Sequence, residues 1–405
     1  MLKPIFTALS PNTEWDDVWL ALKLIFQPWK WINGGAVKEL EQKSREYLGV
    51  KHAFAFSSGR GALYAILSAL ELKPDDEVLL QAYTCVAVPN AVIWAGAKPI
   101  YVDIDAETFN MSAEDLEKKI SPHSRILIIQ HTFGMPADVD RLLEIARAHD
   151  LFVIEDCAHA LGAEYKGRLV GTFGHAAFFS FGRDKVISSV FGGMAVTNSD
   201  IVAEKLSLIY NNTLEAGRQW TLQQLLQPRI AAKAKLFYNF LELGKLILWV
   251  SRRIGLLSRS VERGEYQAGK PAFVGRKMPN ALAELALRQF GKLERFNAHR
   301  REIVKIYENG LKTGSTVRPV PLRYILRLPQ AAELIKKAKK ENIFLGDWYN
   351  APIAPRGVDY GKIGYEIGSC PEVERLASQS VNLPTDIHIT EKDARRIIEF
   401  FKKNI

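Results

Sequence analysis

Cysteine is scarce in this sequence: three in 405 residues, Cys85, Cys157 and Cys370, far apart and odd in number. No disulfide framework or metal-ligand spacing follows from them, so a reducing cytosol is the expected compartment. Long apolar runs are scarce too. The one that stands out, Leu236–Val250, is interrupted by Glu242, Gly244 and Lys245. A spanning helix needs about 20 mostly apolar residues, so no transmembrane segment is expected. The first residues, "MLKPIFTALSPNTEWDD", soon reach proline, polar and acidic positions, and no secretory signal is expected. Internal repeats and low-complexity tracts are missing, as is the G-x-x-x-x-G-K-[ST] spacing of a P-loop.

What is present is an ordinary globular composition, 47% hydrophobic and 24% charged, long enough for a large core and two domains. The net charge of +9 suits anionic partners: phosphorylated ligands, nucleic acid or an acidic membrane surface. Charge alone does not choose among them.

Residues 50–200 alternate short apolar runs with helix-length segments. "AFAFSS", "DEVLLQ", "AKPIYVDID", "SRILIIQH", "DLFVIED" and "HAAFFSF" read as buried strands, with "GALYAILSALEL" and "PADVDRLLEIARAHD" as helices between them. This strand–helix alternation predicts an α/β fold with a mostly parallel sheet covered by helices. Residues 217–277 break the rhythm with helical, basic and hydrophobic material followed by a polar loop. From Met278 a long helical pattern leads into short strands and helices ending in "TEKDARRIIEFFKK". The expected organisation is a large domain over 1–216, a helical insertion over 217–277 and a smaller α+β domain over 278–405.

Ligands of such sheets gather at the carboxyl ends of the strands, and three strand ends carry chemistry. At "FSSGRGAL", Ser58, Gly59, Arg60 and Gly61 turn a strand into a helix, where free amides and glycine flexibility favour a phosphate. The alternative is a plain turn capped by serine. At "VIEDCAHA", Asp156 ends an apolar strand and His159 follows three residues later. Asp156 could bind a metal, act as a base, pair with a cationic ring nitrogen or simply cap a turn. His159 alone reads as a satisfied, half-buried histidine. At "FFSFGRDKVISS", Lys185 follows a buried strand. Apolar walls would lower its pKa and free its lone pair for an aldehyde, whereas an ordinary loop lysine is solvated. Taken together, an anion-binding turn, a strand-end carboxylate and a lysine match the phosphate, pyridinium and aldehyde of pyridoxal phosphate.

The ordered set "WINGGAVKELEQKSREYLGVKHAFAFSSGRGAL", "AYTCVAVPNAVIWAGAKPIYVDID", "HTFGMPADVD", "VIEDCAHALGAEYKGRLVGTFGHAAFFSFGRDK", "MPNALAELALRQFGKLERFNAHRREI" and "SVNLPTDIHITEKDARRII" resembles the DegT/DnrJ/EryC1/StrS family of sugar aminotransferases. The likeness covers nearly the whole chain and implies the fold-type-I architecture of pyridoxal-phosphate enzymes. It places the cofactor-bearing lysine on Lys185 and the pyridinium-binding aspartate on Asp156. The residue beside the phenolic oxygen falls on His159, the phosphate-contacting serine on Ser180, and the phosphate turn on Gly59 and Arg60 after Ser58. Three positions depart from the family pattern. Arg60 replaces a usual threonine. Cys85 stands where an aromatic usually covers the ring, with Tyr83 nearby. "GRKM", Gly275 to Met278, replaces an N-x-R-M element that reaches across a dimer.

The resemblance implies transfer of an amino group from an amino acid, expected to be glutamate, to a nucleotide-linked keto-sugar for a surface glycan or a secondary metabolite. A cytoplasmic homodimer is expected, with no nucleic-acid partner and no metal. Two alternatives keep the fold: a regulatory or scaffold protein that binds pyridoxal phosphate without transaminating, and a sugar dehydratase or epimerase. Lys185 argues against the related dehydratases, which carry histidine there. For 233–253 the favoured expectation is a helical insertion packed on the dimer or over the site. The other is weak peripheral membrane contact, with Trp249 flanked by Lys233, Lys235, Arg252 and Arg253.

Overall fold

The computed structural model describes residues 3–238, 240, 242–311 and 322–405. Asn239 and Leu241 of the apolar run lie outside this set. The centre of the molecule is a seven-stranded sheet formed by β1 (His52–Phe56), β2 (Glu77–Gln81), β3 (Lys98–Val102), β4 (Ser124–Gln130), β5 (Phe152–Asp156), β6 (Ala176–Ser180) and β7 (Gly193–Thr197). The spatial order is β1-β7-β6-β5-β4-β2-β3. All neighbours are parallel except β7, which runs antiparallel to both β1 and β6.

Both faces of this sheet are buried. Val78, Leu80, Ile126, Ile128 and Ile154 enter one core, while Leu79, Leu127, Ile129 and Val153 enter another. Side chains alternate across a strand, so only a continuous apolar run can fill two cores at once. That is why these strands read as unbroken hydrophobic segments. β7 lies inside "VFGGMAVTNS", which its glycines present as loop. Gly193 is needed there because a Cβ would stand 2.4 Å from the Gly59 amide nitrogen.

The long helical pattern after Met278 is two helices, Asn280–Phe290 and Leu293–Leu311. Ala281, Leu282, Leu285 and Ala286 of the first pack into the core shared with Leu24, Leu40 and Phe181. A smaller core gathers Ile303, Tyr307, Leu334, Val381, Leu383, Ile397 and Phe401 with Ile5 from the N-terminus. The last helix, Glu391–Asn404, starts at a Thr390–Asp393 capping box. Between these elements the chain returns to the large sheet: Ile353–Ala354 pair with Thr84–Cys85, and Val358, Ile363, Tyr365 and Val373 enter its core. The insertion forms helices Arg218–Leu236 and Leu243–Arg253 and a short 3-10 turn, Arg263–Gln267. Among the described residues no helix is long and apolar enough to cross a membrane.

Candidate active site

Register brings the three strand ends together. Phe56 of β1 faces Gly193 of β7, which faces Ser180 of β6. Asp156 of β5 faces Phe178, two residues before Ser180. The turn after β1, the carboxylate ending β5 and the loop after β6 therefore share one edge of the sheet.

Ser58 caps the helix Gly59–Ala69, its Oγ accepting from the Gly61 amide at 3.1 Å. Among the described residues the Gly59 and Arg60 amides donate to no protein acceptor. Ser180 stands directly over this turn: a Cβ on Gly59 would come within 2.7 Å of Ser180 Cβ and 3.1 Å of its Oγ. Two free amides at a helix start beside a hydroxyl make an anion cradle. Arg60 joins it only through its backbone. Its guanidinium turns to the buried carboxylate of Glu265, to the Ser260 carbonyl, and over the Phe273 ring at 5.8 Å.

Asp156 is buried, and its Oδ1 accepts from the Ala158 amide at 2.9 Å. Among the described residues nothing donates to its other oxygen. Burial holds its carboxyl above the usual range, against the opposing pull of the Ala158 amide, Lys185 and His131. Glu155 takes the opposite face, as strand alternation requires, and accepts from His131 and from the amides of Gly171, Phe173 and Gly174. Of these adjacent acids, Glu155 anchors a loop and Asp156 opens to the site.

Lys185 sits at the end of the cradle, with Gly182 against its stem. Burial lowers its pKa to about 8. Cys85, Asp156 and Asp184 oppose that shift, and Arg323 adds to it. The Nζ lies 5.4 Å from the centre of the Trp348 ring. Asn12 holds the loop by donating to the carbonyls of Lys185 and Val186.

His159 is buried and held by its neighbours. The Phe133 amide donates to its Nδ1 at 3.3 Å, which places the neutral ring's proton on Nε2, where the Tyr349 hydroxyl lies at 3.5 Å. Its ring stacks on Phe133 at 5.5 Å and Trp348 at 5.8 Å. Burial pushes its pKa well below the imidazole range, and Lys185 and Arg323 add to that shift.

The two residues expected near the ring separate. Cys85 is half-buried where Thr84–Cys85 pair with Ile353–Ala354. Tyr83 is fully buried; its hydroxyl is hydrogen-bonded to Ser380 at 2.7 Å and its ring meets Tyr349 edge-on. The aromatic beside Lys185 is instead Trp348, which the sequence pattern did not single out. Arg323 lies over the same indole at 3.6 Å, is itself buried, and among the described residues its Nη2 meets no hydrogen-bond partner. The insertion also enters: Ser258 binds Arg183, and Glu265 binds Arg60. No local signal marks Trp348, Arg323 or Glu265, because each arrives from a distant segment.

A model of the DegT/DnrJ/EryC1/StrS aminotransferase family matches residues 18–238 and 250–402. GDP-perosamine synthase of Caulobacter vibrioides is 36% identical over 217 residues, covering 54% of this chain and 58% of that enzyme. A pleiotropic regulatory protein of Geobacillus stearothermophilus is 28% identical over 395 residues, covering 95% and 93%. In structure, Spr1654 from Streptococcus pneumoniae in its PLP form superimposes with a TM-score of 0.75 at 22% identity, covering 99% of this chain and 98% of that one.

Proposed function

The chain belongs to the DegT/DnrJ/EryC1/StrS aminotransferase family, pyridoxal-phosphate enzymes, and on that premise we propose that it aminates a nucleotide-linked keto-sugar with glutamate as donor. The observation that carries this reading is one edge of the sheet, where Lys185, Asp156 and the amides of Gly59 and Arg60 converge. The residues fit the cofactor. The helix start and Ser180 suit its phosphate, the open oxygen of Asp156 suits a protonated ring nitrogen, and the Nε2–H of His159 suits its phenolic oxygen. Bound there, pyridoxal phosphate supplies an electron-accepting ring that acidifies the Cα–H of an attached amine and carries the amino group between substrates.

The chain's own groups do the rest. With a pKa near 8, Lys185 keeps roughly a tenth of its amine unprotonated at neutral pH, against about 3 in 10,000 for an ordinary lysine. That amine would hold the cofactor and, when free, would take the proton from the donor's Cα and return one to the sugar carbon. Asp156 keeps a negative charge against the ring nitrogen. We assign Arg323 to the donor's carboxylate, since its guanidinium lies over the Trp348 indole that also faces Lys185 and its Nη2 has no partner among the described residues. A cytoplasmic homodimer is our working form of the enzyme, and GDP-perosamine synthase supports the nucleotide-sugar class.

Borohydride reduction of the holoenzyme followed by peptide mapping tests the centre of this reading. The label belongs on Lys185, and a label on another lysine overturns it. Glutamate should then bleach the visible band, and a nucleotide keto-sugar should restore it with an aminated product. Retention of the band in glutamate would instead favour the regulatory role that one relative's name carries.

A further inference from the structure

Four tryptophans, Trp15, Trp19, Trp29 and Trp249, are each 63–66% exposed, and Phe26, Phe240, Leu246, Ile254 and Leu256 of the same two segments are exposed as well. Exposed aromatics in such number on one monomer mark an interaction surface. They come from two distant segments that flank one helix. Arg218–Leu236 is tied to the N-terminal segment by Arg218 donating to the Pro28 carbonyl and Lys235 to Ser10. On its other side Gln223 donates to the carbonyl of Gly255, just past helix Leu243–Arg253.

Charge chooses the occupant. Lys23, Lys30, Arg229, Lys233, Arg252, Arg253 and Arg259 are exposed on these elements, and among the described residues none forms an ion pair. The acids of the same elements are engaged: Glu14, Asp16 and Asp17 with Lys292, and Glu242 with Lys245. A two-fold interface would set this unpaired positive charge against itself. An anionic bilayer offers the complementary charge, and its interface is where tryptophan partitions. We propose that this face, built jointly by the N-terminal helix and the insertion, seats the enzyme on an anionic lipid surface. Lys235 takes no part, because its ammonium turns inward to Ser10.

Flotation of the full-length holoenzyme with vesicles of phosphatidylcholine, alone or mixed with phosphatidylglycerol, tests the assignment at low salt. The protein should float with the mixed vesicles only, with a blue shift in tryptophan emission. Reversing Arg229, Lys233, Arg252 and Arg253 to Glu should weaken partitioning about hundredfold or more. Trp19→Ser with Trp249→Ser should abolish floating while glutamate still bleaches the visible band, which reports an intact fold; Trp249→Ser alone is the milder check. Wild type that stays unbound, or binds neutral vesicles equally well, overturns the proposal. So does a tryptophan variant that converts a dimer to a monomer in sedimentation, since a second copy would then cover this face.

Discussion

Asp156→Asn separates charge from shape at a residue that the sequence leaves open as metal ligand, base, ring-nitrogen partner or turn cap. The variant keeps an oxygen to accept the Ala158 amide at 2.9 Å, so the turn after β5 should survive. What disappears is a buried negative charge facing the site. At hydrogen-bond range, about 4 Å or less, and an effective dielectric of about 20, an opposite-charge pair is worth about 4 kcal/mol. A rate changes tenfold for about 1.4 kcal/mol, so turnover should fall by about 10² to 10³. A second readout runs in the other direction. Asp156 helps to hold the Lys185 pKa up at about 8. In the cofactor-free protein, the variant should therefore move the Lys185 titration to lower pH and leave more free amine at neutrality. Turnover with glutamate and the pH dependence of Lys185 acylation measure the two effects. Near-normal turnover, or an unmoved lysine titration, would refute the electrostatic role and reduce Asp156 to a turn residue.

Gly59→Ala should weaken pyridoxal phosphate binding by about tenfold or more in a titration of the apoprotein. Its Cβ would meet Ser180 Cβ at 2.7 Å, and relieving such overlap costs about 1–3 kcal/mol. Glu265→Gln leaves the Arg60 guanidinium without its buried counter-charge, and denaturant unfolding should show a loss of about 3–5 kcal/mol. Asp386 is buried, and desolvation raises its pKa to about 6, with Lys235 and Arg300 only partly offsetting it. A carboxyl raised in the folded state destabilises when ionised, so that cost is absent below about pH 4 and complete above about pH 6. Asp386→Asn should therefore stabilise the protein at pH 7 by about 2–3 kcal/mol, and the gain should vanish on acidification; an equal gain at both pH values would contradict the assignment.

The sequence by itself determined the α/β sheet and the places where chemistry collects. Strands buried on both faces must be continuous apolar runs, so β1, β2 and β4 to β6 announce themselves, and Ser58, Asp156 and Lys185 stand at their ends. β7 stayed hidden because the glycine pair at its start looks like loop, whereas Gly193 is required by the close pass against Ser58 and Gly59. Only the tertiary structure decided what surrounds Lys185. Trp348 and Arg323 reach it from the C-terminal part of the chain, through the pairing of Ile353–Ala354 with Thr84–Cys85, and no periodicity encodes a contact across about 160 positions. The same is true of Arg60: the resemblance puts it in the phosphate turn, and only the fold shows that its side chain goes to Glu265. A local pattern records which face of a strand or helix is apolar. Which distant charge a buried guanidinium meets, and which tryptophans are left facing solvent, depends on how the cores close.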